Sequence, residues 1–246
     1  MRLYAELAPW FHLLTAPEDY AEEAAELVRL AEAAGEGELA TLLEVGSGGG
    51  NNASHLKHRF ACTLTDVSPE MLALSQALNP ECEHGEGDMR TLRLGRVFDV
   101  VLAHDAVAYM RTEHDLRAAI ATAYEHLRPG GVALFLPDYT RESFAAGTSH
   151  GGHDGEGRAL RYLEWVRDPR DGDCTYEVDY VVALREGDEP LRVVHERHVE
   201  GVFSRDDWLG WLREAGFDAC AEPVRVADAP ATWTAFVGRR PAAAAR

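Results

Sequence analysis

The chain of 246 residues is poor in basic side chains, in cysteine and in long apolar runs. Its 24 lysines and arginines face 42 aspartates and glutamates, which gives a formal net charge of −18. Nucleic-acid binding depends mainly on basic side chains that neutralise phosphates, so RNA or DNA is disfavoured as a substrate. No apolar run is long enough to form a membrane-spanning helix, and we expect no membrane association.

The cysteines and the N-terminus indicate a cytoplasmic protein. The four cysteines are scattered without a C-x-x-C spacing, which favours a reducing compartment and no structural zinc. No basic region precedes an apolar stretch at the N-terminus, so a secretion signal is not expected. An apolar content of 46% is ample for a core in one large domain, or in one domain with a small insert.

Residues 42–50 are the most informative stretch, because an apolar strand ends there in a glycine-rich turn. Asn51 and Asn52 follow as candidate helix caps, and a strand, a glycine turn and a helix start together form a nucleotide site. A dinucleotide fingerprint needs its third glycine at position 51, where the chain has Asn51. This difference disfavours a dinucleotide-dependent oxidoreductase. A phosphate-binding P-loop needs a lysine that does not occur before Lys57.

The pattern that is present is E-x-G-x-G-x-G, formed by Glu44, Gly46, Gly48 and Gly50. A carboxylate at this position repels a pyrophosphate but suits a ligand with an ammonium or sulfonium group. The next predicted strand ends in Asp66, whose carboxylate can accept hydrogen bonds from both hydroxyls of a ribose. The sequence therefore predicts a cationic, ribose-containing ligand.

Further elements follow in a fixed order. Ser68 and Pro69 begin a helix, and Gly87-Asp88-Met89 follows a third short segment. Residues 98–104 form a fourth, apolar strand, and residues 127–135 end a helix and start a fifth strand. Over about residues 40–138 the set resembles the class I S-adenosylmethionine (SAM) dependent methyltransferases. The resemblance implies that the cofactor SAM is bound by Tyr20, Glu44, Gly46, Ser47, Gly48, Asp66, Val67, Met71, Asp88, Met89 and His104.

The same resemblance and the alternation of elements predict the fold. Strands alternating with helices from residue 42 to residue 137 indicate an α/β, Rossmann-like sheet that is mostly parallel, with helices on both faces and the last strand antiparallel. A glycine-rich stretch at 145–157 indicates a flexible loop. Three strand-like runs, 159–167, 174–184 and 191–203, then predict a small inserted antiparallel sheet.

We expect four segments from this pattern. The N-terminal helix and the first part of the SAM-binding domain occupy 1–138, and the substrate-facing insert occupies 139–203. A helix over 205–215 and strands over 217–224 and 231–237 complete the α/β domain within 204–240, and 241–246 form a tail.

The insert and several short phrases resemble the sugar N,N-dimethyltransferases of macrolide biosynthesis. The similar phrases are residues 4–20, 107–110 and 202–204. Two departures stand beside them. Asp138-Tyr139 replaces an aromatic pair after the fifth strand, and Phe11-His12 replaces a Tyr-Asp of the N-terminal segment.

Methyl transfer by in-line displacement sets what the site must do. An amine only needs to be neutral when it attacks, whereas a hydroxyl needs a base near neutral pH, for which histidine is suited. We predict His104 and His198 as catalytic candidates, and such chemistry needs no metal. The candidate substrate contacts are Phe11, Tyr109, Tyr139, His153, Trp165, His195 and His198.

Several alternatives stay open at this point. Because strand residues three apart face opposite sides, at most one of His195 and His198 is expected in the cleft. The acceptor is a small molecule methylated on nitrogen or oxygen, and a non-catalytic SAM-binding regulator would keep the same cofactor residues. The oligomeric state is open, with a homodimer as one candidate.

Overall fold

The computed structural model describes residues 1–170, 172–226 and 233–242. The strands are β1 (Thr41–Val45), β2 (Ala61–Asp66), β3 (Glu83–Glu86), β4 (Phe98–His104), β5 (Leu127–Leu136), β6 (Gly147–Gly151), β7 (Asp154–Gly155), β8 (Arg158–Arg167), β9 (Thr175–Glu186), β10 (Arg192–Gly201), β11 (Asp218–Pro223) and β12 (Thr234–Arg239). The α-helices are α1 (Phe11–Leu14), α2 (Ala21–Ala34), α3 (Ala53–Leu56), α4 (Pro69–Leu78), α5 (Glu113–Glu125) and α6 (Arg205–Glu214).

The main sheet has seven strands in the order β11-β12-β5-β4-β1-β2-β3. Strands β3, β2, β1, β4 and β5 pair in parallel, and β12 lies antiparallel to both β5 and β11. Successive residues of β1 face opposite sides of the sheet, so Leu42 packs with α2 and α3 on one face and Leu43 packs with α5 and α6 on the other. The predicted mostly parallel sheet with helices on both faces is confirmed.

A second, antiparallel sheet has the order β10-β9-β8-β6, with β7 also paired to β8. The predicted inserted sheet is therefore present, but the prediction of a flexible glycine loop at 145–157 was wrong in part. Residues 147–151 form an edge strand in register with residues 162–166 of β8. Gly152 has a φ of +114°, and a Cβ at this position would lie 2.2 Å from the carbonyl oxygen of Leu160. A side chain is excluded there by this close approach.

Some helix boundaries differ from those predicted. The helix expected from residue 18 begins with a 3₁₀ turn, Pro17–Tyr20, before α2. Neither asparagine caps α3, because Asn51 donates to the carbonyl oxygen of Thr15 at 3.0 Å and Asn52 donates to Glu23 at 2.9 Å. Ser68 caps α4 as predicted.

Two expectations fall partly outside the described residues. The strand predicted over 231–237 begins at residue 234 in the structure, and residues 231 and 232 are not described. Of the predicted tail, only residues 241 and 242 are described.

The N-terminal segment packs on the second sheet. Leu3, Leu7 and Trp10 are buried against Leu160 and Val182 of that sheet. None of the helices in the described ranges is long and apolar enough to cross a membrane.

Candidate active site

The glycine turn after β1 is shaped by close packing. Gly46 has a φ of +77°, and a Cβ placed on it would lie 2.4 Å from the Cβ of Ala106. Only glycine fits this position, both for its backbone conformation and for the space available. The turn is held by Thr65, whose carbonyl oxygen accepts hydrogen bonds from the amides of Gly46 and Ser47 at 2.7 and 2.9 Å.

A cavity of about 610 Å³ lies at the carboxyl ends of the parallel strands, where open α/β sheets bind their ligands. The N-terminal segment and β9 and β10 of the second sheet complete its walls. All eleven residues predicted to contact the cofactor line it, namely Tyr20, Glu44, Gly46, Ser47, Gly48, Asp66, Val67, Met71, Asp88, Met89 and His104.

The buried polar atoms of the cavity lining that have no hydrogen-bond partner among the described residues include Oε2 of Glu44 and Oγ of Ser47, both at the glycine turn. Burial, with smaller contributions from Glu23 and Asp66, raises the pKa of Glu44 to about 8. Buried polar atoms rarely stay unpaired in a complete site. A cationic, hydrogen-bonding ligand such as SAM fits the donor and acceptor set that these residues present.

The ribose and adenine candidates have different surroundings. Asp66 accepts hydrogen bonds from the amides of Gly48 and Ser68, each at 2.9 Å, which leaves further lone pairs for a ligand. Asp88 is held by Arg90, whose guanidinium lies 2.6 Å away and lowers the pKa of the Asp88 carboxyl.

His104 is enclosed by acidic side chains. Its Nε2 lies 2.8 Å from Glu23 and its Nδ1 lies 3.3 Å from Asp105. Burial alone would lower the pKa of His104, but Asp105 and Glu23 outweigh it and raise the pKa to about 10. The imidazole is therefore charged near neutral pH, a state unsuited to the general-base role considered from the sequence.

Three further carboxyl groups that line the cavity were missed by the sequence reasoning. Asp105 and Asp138 follow β4 and β5, face the cavity and are hydrogen-bonded to each other. Glu200 is buried, accepts a hydrogen bond from Tyr176 and has its pKa raised by burial to about 8. Asp138 was visible only as a departure from an aromatic pair, and nothing in the sequence placed Glu200 beside it.

The enclosure of Asp105 and Asp138 by the cavity walls raises the pKa of both. Each nevertheless presents its side chain to the space inside the cavity, and Asp105 remains 45% exposed. Asp105 is also the one non-glycine residue in the described ranges with a positive φ, +45°. Such a conformation is costly and is kept where the surrounding structure requires it.

Of the seven predicted substrate contacts, the structure brings three to the cavity, Phe11, Tyr109 and His198. The hydroxyl of Tyr109 lies 2.7 Å from Nδ1 of His198 and 2.8 Å from the hydroxyl of Tyr4. His195 points to the opposite face of β10, where it lies 2.7 Å from a carboxylate of β9. The expectation that at most one of His195 and His198 enters the cleft is confirmed.

The remaining three predicted substrate contacts, like His195, lie outside the cavity wall. Tyr139 packs edge-on against Tyr176 at 5.3 Å, within a small apolar cluster. Trp165 is 40% exposed because its neighbour in β8 takes the buried face of the strand. His153 lies 3.1 Å from Asp19 near the surface. Their placement argues against direct contact with the substrate.

Comparison with known proteins finds methyltransferases. A methyltransferase-domain family model matches residues 42–131. The chain is 33% identical over 227 residues to a dTDP-4-amino-2,3,4,6-tetradeoxy-D-glucose N,N-dimethyltransferase of Saccharopolyspora spinosa, covering 90% of this chain and 87% of that enzyme. It is 37% identical over 131 residues to a dTDP-3-amino-3,4,6-trideoxy-alpha-D-glucopyranose N,N-dimethyltransferase of Streptomyces venezuelae, covering 52% of this chain and 55% of that enzyme.

Solved structures of methyltransferases are similar to this chain in fold. The fold matches Streptomyces venezuelae DesVI with a TM-score of 0.84 and 27% identity, covering 96% of this chain and 98% of that one. It matches SAM-bound CalS10, an amino pentose methyltransferase from Micromonospora echinaspora, with a TM-score of 0.76 and 26% identity, covering 90% and 91% of the two chains. Neither the oxidoreductase nor the regulator alternative finds support in these matches. The chain belongs to the class I SAM-dependent methyltransferases, and its relatives in that family are sugar N,N-dimethyltransferases.

Proposed function

We propose that this methyltransferase acts on the amino group of a sugar. The observation that carries the proposal is the acidic end of the cavity, formed by Asp105, Asp138 and Glu200. Carboxylates attract an ammonium group strongly and offer a neutral hydroxyl only a hydrogen bond. The relatives named above act on amino sugars, which supports nitrogen rather than oxygen as the methyl acceptor.

The cofactor end would hold SAM as follows. Glu44 and the glycine turn hold the methionine part, with Tyr20 and His104 beside them. Asp66 accepts hydrogen bonds from the ribose, Asp88 binds the adenine amino group, and Met89 packs on the ring. Ser47, Val67 and Met71 complete this wall. Bound SAM supplies an electrophilic methyl group on a sulfonium.

The contribution of the chain is to hold, orient and neutralise the amine. The hydrogen-bonded pair of Asp105 and Asp138 keeps a negative charge near neutral pH, because the pKa of Asp105 is raised only to about 6, and this charge attracts the substrate as its ammonium form. The nitrogen must then lose one proton before its lone pair can attack. Phe11 and Tyr109 would contact the sugar. Alignment of the nitrogen opposite the sulfur supplies much of the rate, since well-oriented groups gain roughly 7–11 kcal/mol over a bimolecular encounter.

An acceptor panel tests the proposed substrate class. The panel contains a free amino sugar, the same sugar linked to dTDP, and the analogue with a hydroxyl in place of the amine. Methyl transfer to nitrogen of either amino sugar is expected, and the two arms show whether the nucleotide is required. Methylation of the hydroxyl analogue alone would overturn the proposal.

Substitution of the acidic end tests the role of its carboxyl groups. Asp138→Asn should raise the KM for the amino sugar by roughly 10- to 100-fold, the scale of one hydrogen bond to a charged group. The affinity for SAM should stay within about twofold, because the substitution leaves the glycine turn intact. Glu113→Gln, on the exposed start of α5, is the matched control.

The proposal also covers the cellular compartment and the partners of the enzyme. The enzyme would act in the cytoplasm, without nucleic acid as a partner, because its net charge of −18 repels phosphate backbones. A homodimer stays a prediction, which sedimentation of the full chain would test.

A further inference from the structure

A line of polar side chains leads from the cavity toward the protein surface. The hydroxyl of Tyr109, which lines the cavity, lies 2.7 Å from Nδ1 of His198. The other ring nitrogen, Nε2, lies 3.6 Å from a carboxylate oxygen of Glu196. The side chain of His198 is fully buried, whereas that of Glu196 is 14% exposed. This line joins the acceptor end of the cavity to the outside.

The direction in which a proton can move along this line follows from the contacts of Glu196 with the N-terminal segment. Glu196 accepts hydrogen bonds from the backbone amides of Arg2 and Leu3 at 2.7 and 2.8 Å, so both oxygens of its side chain act as acceptors. A carboxylate is only an acceptor, and it favours a proton on the ring nitrogen that faces it. Nε2 therefore carries the proton of neutral His198, and Nδ1 is left to accept a hydrogen bond from Tyr109.

The protonation state of His198 allows it to accept a proton. Nε2 is buried and makes no direct hydrogen bond among the described residues. Burial lowers the pKa of His198, with Glu196 opposing the shift, so the ring is neutral near pH 7. The titratable groups that face the ring from the elements packed on it are Glu196, Tyr109, Tyr180, Tyr4 and the N-terminal ammonium.

We infer that Tyr109, His198 and Glu196 form a proton relay that neutralises the substrate ammonium. The relay rests on the proposed amine acceptor. An N–H bond of the ammonium breaks, its electron pair stays on nitrogen, and the proton goes to Oη of Tyr109. The original proton of Tyr109 passes at the same time to Nδ1 of His198. The new imidazolium is balanced by Glu196, a positioning residue.

The remaining atoms balance with the known reaction. The nitrogen lone pair forms the bond to the methyl carbon, and the methyl–sulfur bond breaks with its electron pair left on sulfur. The imidazolium then releases its Nε2 proton past Glu196 to solvent, and tautomer exchange of the neutral ring moves the Nδ1 proton to Nε2, which restores the starting state. Each methyl transferred therefore sends one proton along the line.

The geometry of the relay has a readout independent of activity. Long-range proton–nitrogen NMR of the full chain, assigned by comparison with His198→Gln, should show His198 near neutral pH with its proton on Nε2 and with Nδ1 bare. His195→Gln should leave that signal unchanged, since His195 is on the opposite face of β10. A proton on Nδ1, or a charged ring near neutral pH, would overturn the inference.

The pH profile of kcat/KM for the amino sugar tests the function of the relay. His198→Gln should lower kcat about 100-fold and remove the acid limb of the profile, within the range typical of general-base catalysis. Glu196→Gln should keep measurable activity and move that limb to lower pH, because loss of the carboxylate lowers the pKa of the imidazolium. His195→Gln is the matched control, with a wild-type profile expected.

The outcomes separate this inference from the function on which it rests. Profiles of Glu196→Gln and His198→Gln that overlay the wild type, with the amine still methylated, refute the relay alone. Absence of methyl transfer to any amino sugar by the wild type refutes the proposed function, and the NMR result then still decides the geometry. Thermal melting and SAM titration of each variant establish that it is folded.

Discussion

A single buried carboxyl, that of Glu44, links the affinity for the cofactor to pH. Its pKa of about 8 means that the free protein holds this group mostly protonated at neutral pH. A cationic ligand needs the carboxylate, so binding below about pH 8 must release a proton. The affinity for the cofactor therefore rises with pH, by up to tenfold per pH unit, and levels off above the pKa of Glu44.

We predict this dependence for S-adenosylhomocysteine measured by calorimetry between about pH 6.5 and about pH 8.5, a range that spans the pKa. Glu44→Gln should flatten the curve, because the titrating group is gone. Glu200→Gln, which removes a carboxyl at the acceptor end, should keep it. A flat curve for the wild type would show that Glu44 is already ionised in the free protein.

Asp66, the residue proposed to bind the ribose, gives a second prediction. Asp66→Ala should lower the affinity for the cofactor by roughly 1.5–3 kcal/mol, the cost of losing hydrogen bonds to a charged group. The substitution also removes the acceptor for the amide of Gly48, so the glycine turn loses one of its anchors. Calorimetric titration measures the change, and an unaltered affinity would mean that the ribose is held elsewhere.

Individual residues were predictable where a local pattern carries the chemistry. The predicted cofactor residues all line one cavity, and most of them do so because strand ends meet at one edge of a parallel sheet. Asp138 and Glu200 were not predictable, since they come from different sheets and meet only in the folded chain. The charge of His104 depends on the adjacent Asp105 and on Glu23 of α2, and no local pattern connects Glu23 to β4.

Among the elements, β1, β4 and β5 are tied at their N-terminal ends by Asp99. Its carboxylate accepts hydrogen bonds from the amides of Ala40 and Thr41 at 2.9 and 2.8 Å, and from Arg128. Although burial alone would raise the pKa of Asp99, the bonds from Arg128 and Thr41 lower it to about 2. The stability that this group supplies is present above about pH 4 and is lost as the pH falls toward 2.

Asp99→Asn should lower the free energy of unfolding by about 2 kcal/mol at neutral pH, because charge-assisted hydrogen bonds are weakened. Urea denaturation measures the loss, and the difference from the wild type should shrink as the pH falls through the acid range. Asp218→Asn serves as the control, since its ion pair with Arg239 is exposed and contributes little. Equal losses in the two variants would contradict the tie at Asp99.

Elements were predictable where apolar residues alternate or repeat. The alternation in β9 places Tyr176, Val178 and Val182 on one face, as the burial of that strand shows. Strand β6 was missed because its residues, Gly-Thr-Ser-His-Gly, carry no apolar signal and are mostly exposed. It is a strand only because the edge of β8 offers it backbone partners.

For the molecule as a whole, the N-terminal segment joins the second sheet to the acceptor end of the cavity. Trp10 is 8% exposed, packs with Leu7 and Val182, and carries the guanidinium of Arg158 at 3.8 Å from its ring centre. The neighbouring Phe11 lines the cavity. Packing far from the reacting atoms is therefore coupled to substrate binding.

Trp10→Ala should cost about 3 kcal/mol of stability, the lower part of the range for a buried tryptophan. It should also raise the KM for the acceptor more than it changes the affinity for SAM, because the cofactor wall is built on the main sheet. Thermal melting and steady-state kinetics measure the two effects. Trp165→Ala is the control, since that ring is exposed and off the cavity; equal effects would refute the coupling.

The cofactor and acceptor ends belong to one continuous chamber of about 610 Å³. A single synthetic molecule that joins adenosine to an amino sugar through a short chain in place of the transferred carbon would therefore fill both ends at once. Such a bisubstrate inhibitor gains from the high effective concentration of its second half once the first is seated. The undivided chamber thus makes this enzyme a natural target for tethered inhibitors.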